Sequence, residues 1–176
     1  MKGEIRTFTG HSFYPMAPRL EDVYFEDIAH ALSMLCRYGG HIPRFYSVAE
    51  HSVYVGQKTG LHGLLHDAAE SYLLDLPTPI KRMMPFYEKA EEVLLDVIYE
   101  GLGIKFPTIT EIKRVKIADK RILATEMSQL LHNQTYGEKY APYKNTIIHC
   151  YSPTEAEILF KSEWERLLLS EREKQL

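Results

Sequence analysis

The sequence predicts an all-α fold, a bundle of about six helices behind a short extended or hairpin segment at the N-terminus. Apolar residues recur at helical spacing through most of the chain. Glycines and prolines interrupt that spacing at intervals suited to helices of ordinary length. No alternating run is long enough to read as a firm strand. At 176 residues the chain fits one domain over 1–176, long enough to bury a hydrophobic core.

In order, Thr7 to Pro18 carries Gly10, Pro15 and Pro18 among aromatics and reads as extended or as a small hairpin. A helix follows from Phe25 to Tyr38, with Ile28, Leu32 and Leu35 on one stripe, and Gly39-Gly40 ends it. The next helix runs from Val48 to Lys58, beyond the loop containing Pro43. A third, from His62 to Leu74, is broken by Asp75-Leu76-Pro77-Thr78-Pro79, because proline does not sit in a helix interior. Phe86 to Leu102 is amphipathic through Ala90, Leu94, Val97 and Ile98 and stops at Gly103. A long helix spans Ile109 to His132. Ser152-Pro153-Thr154-Glu155 is a capping box with proline at the first helical position, and it opens a last helix reaching at least Leu169.

Composition narrows the function classes. A formal net charge of −3 argues against a polymeric nucleic-acid partner held by bulk charge, and leaves room for a local basic pocket. The N-terminus has no apolar secretory core, and no stretch approaches the length of a membrane span. Cys36 and Cys150 have no neighbour at metal-ligand spacing and read as reduced thiols of a cytoplasmic protein.

Three places hold residues that a plain helical core does not explain. Asp119 falls inside the stripe of Ile112, Val115, Ile122 and Leu123; a buried carboxylate is costly unless it is paired or bound to a metal. In Leu64-Leu65-His66-Asp67-Ala68-Ala69-Glu70, His66 and Glu70 are four apart on one helical face with Asp67 beside them. His51 stands in an otherwise small and apolar helix. Taken singly, each has an ordinary reading as a salt-bridged carboxylate or a hydrogen-bonded core histidine. Together, two imidazoles and two carboxylates suit a borderline divalent ion with coordination positions left open.

The order His51, then the His66-Asp67 doublet, then Asp119 resembles the H…HD…D pattern of the HD-domain phosphohydrolases. The segments Val48-Ala49-Glu50-His51-Ser52, Leu65 to Glu70, Asp75 to Lys81 and Ile117-Ala118-Asp119 are similar to the bacterial 5′-deoxynucleotidase branch. Phe8-Thr9-Gly10, Asp27 to Ser33 and Cys36-Arg37-Tyr38-Gly39-Gly40-His41 look like compact bacterial and phage HD hydrolases, and the likeness runs from about Thr7 to Glu157. The resemblance implies an HD-type helical bundle holding one divalent ion (Zn, Mn, Co, Fe, Mg or Ni) on His51, His66, Asp67 and Asp119. It also implies catalysis by Asp67 and Glu70, the latter orienting or deprotonating the attacking water.

By the same carry-over Arg37 grips phosphate, Asp75 approaches the sugar, and Tyr38 stands where the deoxynucleotidases carry a tryptophan. Lys81 and Lys116 are candidates for offsetting phosphate charge, with solvated surface lysines as the ordinary reading. His30, His41 and His62 are candidates for orienting the ligands, His41 foremost. The implied activity is hydrolysis of nucleotide phosphoesters, with a 5′-(deoxy)nucleotidase as first reading. Alternatives are a dNTP triphosphohydrolase and a non-catalytic metal- or nucleotide-binding module; alarmones and cyclic nucleotides are a further substrate class. A homodimer or larger homo-oligomer is expected by the same analogy.

Overall fold

The computed structural model describes residues 3–131 and 139–173. The N-terminal segment folds back on itself: β1 (Ile5–Arg6) and β2 (Ser12–Phe13) pair antiparallel, with Ile5 opposite Phe13. The pairing begins two residues earlier than the sequence suggests. The hairpin is fastened to the helical body by buried Asp27, which accepts from the Thr9 backbone amide (2.7 Å) and hydroxyl (2.9 Å).

The described residues form eight α-helices: α1 (Phe25–Met34), α2 (Val48–Thr59), α3 (Leu61–Leu64), α4 (Glu70–Leu73), α5 (Thr78–Lys81), α6 (Pro85–Gly101), α7 (Ile109–Leu130) and α8 (Pro153–Glu173). The all-α class expected from the sequence is what the chain adopts. α6 and α8 follow the expected boundaries closely. α7 starts on a complete Thr108–Glu111 capping box, and the expected end at His132 lies outside the described residues.

Three expectations are corrected. The first helix ends at Met34 rather than Tyr38, because the chain after it pairs with the residues that lead into α2. There the Leu35 carbonyl accepts from Val48 (3.0 Å), and the Arg37 amide donates to Tyr46 (2.9 Å). Arg37 to Gly40 then form a tight turn in which Tyr38 has φ +59° and Gly39 φ +58°, the left-handed region. The expected helix from His62 to Leu74 splits into α3 and α4. Between them His66–Ala69 turn through i→i+3 bonds such as Ala68 to Leu65 (2.9 Å) and Glu70 to Asp67 (3.0 Å). The Pro77–Pro79 break itself contains the short α5, with Pro79 in its first turn, where proline is tolerated.

Helix α2 is the centre of the packing and contacts α1, α3, α7 and α8. Every residue from Val48 to Gly56 is buried, as in a helix covered on all sides. One core joins Ile28, Leu32, Leu64, Ile98 and Phe160; a second joins Tyr46, Val55, Ile122 and Ile148 between α2 and α7. Each fully buried large side chain contributes about 1.5–3 kcal/mol relative to exposure. No helix among the described residues is long and apolar enough to cross a membrane.

Candidate metal centre

The burial of α2 puts His51 in the interior with none of its side chain exposed. Gly63 allows α3 to lie close against α2: a Cβ there would meet the Val55 carbonyl oxygen at 2.8 Å. The turn after α3 then delivers His66 and Asp67 to His51, and the middle of α7 delivers Asp119. The Nε2 atoms of His51 and His66 are 3.3 Å apart. Asp67 Oδ2 lies 3.7 Å from the first and 3.2 Å from the second. Asp119 Oδ1 lies 3.4 Å and 4.0 Å from the same two atoms.

His51, His66 and Asp67 thus form a group that can hold a metal ion, with Asp119 at its edge. Ligands at about 2.0–2.2 Å from a common ion are themselves on the order of 3–3.5 Å apart, close to the spacings seen.

The hydrogen bonds behind the two imidazoles strengthen the fit. His51 Nδ1 donates to Glu126 Oε1 (2.6 Å), and His66 Nδ1 donates to the Gly63 carbonyl (2.8 Å). Each acceptor holds the proton on Nδ1 and leaves Nε2 to ligate. Glu126 is fully buried and also accepts from Tyr38 Oη (2.5 Å), Tyr46 Oη (2.7 Å) and Arg37 (3.4 Å). Burial alone would raise its pKa, but the charges of Arg37 and His51 and these hydrogen bonds hold it below the usual carboxylate range. His51 shows the converse. Burial and the Arg37 charge depress it, yet Glu126 and Asp119 outweigh them and bring the ion-free imidazole to about 9. Asp119 is pushed up by burial and drawn down further by His51, to about 2.

A cavity of about 390 Å³ opens from Asp67 and Asp119, lined also by Arg37, Tyr38, Glu70 and Asp75. Lys81 lies on its wall, 2.7 Å from Glu91 and 3.4 Å from Glu70. Two buried polar atoms of this lining, Arg37 Nε and Glu70 Oε2, have no hydrogen-bond partner among the described residues. Burial, reinforced by the charges of Asp67 and Asp75, raises the Glu70 carboxyl well above its ordinary value. Burial likewise raises Asp75, against the pull of Arg37.

The fold therefore gathers His51, His66, Asp67 and Asp119, with Glu70, Arg37, Tyr38, Asp75 and Lys81 around one cavity. Some details differ from the sequence reading. His66 and Glu70 do not share a helical face, since the turns between α3 and α4 separate them. The Tyr38 proton is committed to Glu126, so its hydroxyl retains only acceptor capacity toward a ligand. Lys116 lies outside this cavity and borders another one on the far side of Asp119. None of the three histidines suggested as orienting partners takes that part. His30 pairs with Glu157 (2.9 Å), His41 is exposed, and His62 bonds the Lys105 carbonyl (2.9 Å). Glu126 does it for His51. It sits seven residues after Asp119 on the same buried stripe as Ile122, a second carboxylate in an apolar face that the periodicity could have flagged.

Scaffold and site together define an all-α protein with a partly buried His/Asp group able to hold a metal ion. No protein-family profile matches the chain. It is 42% identical over 130 residues to the uncharacterized protein YfdR of Escherichia coli (strain K12), covering 72% of this chain and 71% of that one. It is 31% identical over 140 residues to the uncharacterized protein RCAP_rcc00048 of Rhodobacter capsulatus, covering 71% of each. The chain belongs to the family of these proteins.

Proposed function

We propose that the chain is a metal-dependent phosphohydrolase of the HD type, acting as a 5′-(deoxy)nucleotidase on nucleoside monophosphates. One observation carries the reading. The Nε2 atoms of His51 and His66 converge with carboxylate oxygens of Asp67 and Asp119 beside a cavity where, among the described residues, Arg37 and Glu70 keep unpaired buried atoms. His51, His66, Asp67 and Asp119 would hold one divalent ion, which when bound supplies Lewis acidity and lowers the pKa of water.

The remaining steps belong to the chain's own residues. Glu70 takes the proton of a water as the water oxygen bonds to phosphorus; burial and the charges of Asp67 and Asp75 raise its carboxyl above the ordinary value, which makes it a stronger base. The bond from phosphorus to the sugar O5′ breaks, O5′ takes up the proton that Glu70 accepted, and a nucleoside and phosphate leave. Arg37 offers a bidentate grip on the phosphoryl oxygens and Lys81 a point charge. Asp75, in the same lining, can accept from sugar hydroxyls.

The charges favour a monophosphate over a triphosphate. Arg37 and Lys81 are the cations of this cavity, against Asp67, Glu70, Asp75 and Asp119, and both cations already have carboxylate neighbours. With a divalent ion bound, the formal balance suits a small dianion better than a longer polyphosphate.

The test is incubation of metal-free and metal-reloaded protein with dAMP, AMP and dATP, and chromatography of the products. Metal-dependent release of nucleoside and phosphate from dAMP is expected. Release of triphosphate from dATP would make it a triphosphohydrolase, and no turnover with any ion would make it a binding module.

A further inference from the structure

Asp119 borders two cavities rather than one. Later residues of α7, Leu123 and Met127, line the polar chamber described above. Earlier ones, Ile112, Val115 and Lys116, line a second chamber of about 470 Å³ that also reaches His66. Its size lies within the range of small-molecule sites. Leu95 and Tyr99 of α6 complete a mostly apolar wall.

The chemistry of this chamber is unlike that of its neighbour. Its charged lining, apart from Asp119, is Lys116 from α7 and Glu92 and Asp96 from α6, which does not make an anion site. Tyr99 is 3% exposed, and its hydroxyl makes no hydrogen bond among the described residues. The ring is buried but the hydroxyl keeps access to solvent, which leaves it free to donate to a ligand in the chamber. Burial and the nearby carboxylates keep the phenol protonated, and therefore a donor. Half-exposed Phe106 meets the Tyr99 ring edge-on at 6.2 Å and extends the aromatic surface.

We propose that this second chamber binds an uncharged aromatic ring system, a nucleobase or its nucleoside, with the Tyr99 hydroxyl donating to a ring nitrogen or carbonyl. The aromatic class follows from the wall; the choice of a nucleobase rests on the nucleotide reading above. The ring has two possible sources: the base of a nucleotide whose phosphate lies at the metal group, or a separate nucleoside bound beside it.

The experiment is a calorimetric titration of the intact, metal-loaded protein with deoxyadenosine and, separately, inorganic phosphate. It is repeated for Tyr99→Phe and for Ile112→Glu, the latter at a half-exposed position where a charge leaves folding intact. Deoxyadenosine should bind about fivefold more weakly to Tyr99→Phe and at least about tenfold more weakly to Ile112→Glu. Phosphate binding should be the same in all three proteins. Competition with dAMP separates the sources. Exclusion of deoxyadenosine by dAMP, with a raised KM for dAMP in both variants, assigns the chamber to the substrate's base. Simultaneous binding assigns it to a separate nucleoside. Absence of deoxyadenosine binding, or an affinity unchanged in both variants, overturns the proposal. Because binding is read without turnover, failure of the hydrolase reading alone leaves this result intact.

Discussion

Glu126→Gln keeps the shape of the side chain and removes its charge, leaving four donors, from Arg37, Tyr38, Tyr46 and His51, around a group that has one oxygen and an amide. Breaking a buried charge pair costs about 3–5 kcal/mol, and the lower end applies because one acceptor survives. At about 2–4 °C per kcal/mol for a chain of this size, Tm should fall by roughly 6–12 °C. Stability alone does not separate a core carboxylate from one that serves the metal group. Metal affinity does, because Glu126 holds the His51 proton on Nδ1. Loss of such a support typically weakens metal binding by about 10–100-fold. The assay is a chelator-competition titration at a temperature where circular dichroism shows the variant folded. An affinity within about threefold of wild type, well short of that loss, would refute the argument that Glu126 sets the ligand's tautomer.

The adjacent Glu50 provides the contrast. It accepts from the amides of His149, Cys150 and Tyr151 and from the Tyr54 hydroxyl, so Glu50→Gln should cost about 1–3 kcal/mol while metal affinity stays unchanged in the same titration. Glu70→Gln should retain the ion and lower kcat by about 10²–10⁴-fold, measured by steady-state kinetics with dAMP. The ion-free His51 imidazole has its pKa raised from 6.5 to about 9, so its stabilising effect is complete below 6.5 and is lost as pH rises through 9. Thermal melts of the apoprotein should therefore show Tm falling across that window, and melts of metal-loaded protein should show the fall abolished, because the ion replaces the proton on Nε2.

The parts of the fold legible in the sequence were those written in local chemistry. Ser152–Glu155 caps α8 as its spacing indicates, and the apolar stripe of α6 runs between Pro85 and Gly101. The helix expected over His62–Leu74 failed because apolar periodicity does not distinguish i→i+4 from i→i+3 bonding. The turns at His66–Ala69 are tied to packing of α3 on α2. The end of α1 failed for a related reason: Leu35 and Arg37 bond to residues on the far side of the loop, a long-range pairing with no local signature. At the site, residues out of character for their stripe were readable, as with Asp119 and His51. Glu126 meets the same criterion one turn beyond Ile122 and Leu123, a buried carboxylate on the continuation of that stripe. The two-chambered surroundings of Asp119 were not readable, since they depend on how α6 lies against α7.

The most direct measurement is the ion content of the chain after equilibrium dialysis against Mn, Co or Zn, for the wild type and for Asp67→Ala. The account predicts one tightly held ion per chain in the wild type and its loss in the variant. Wild-type protein that emerges metal-free from all three, or a variant that retains the ion, would contradict it.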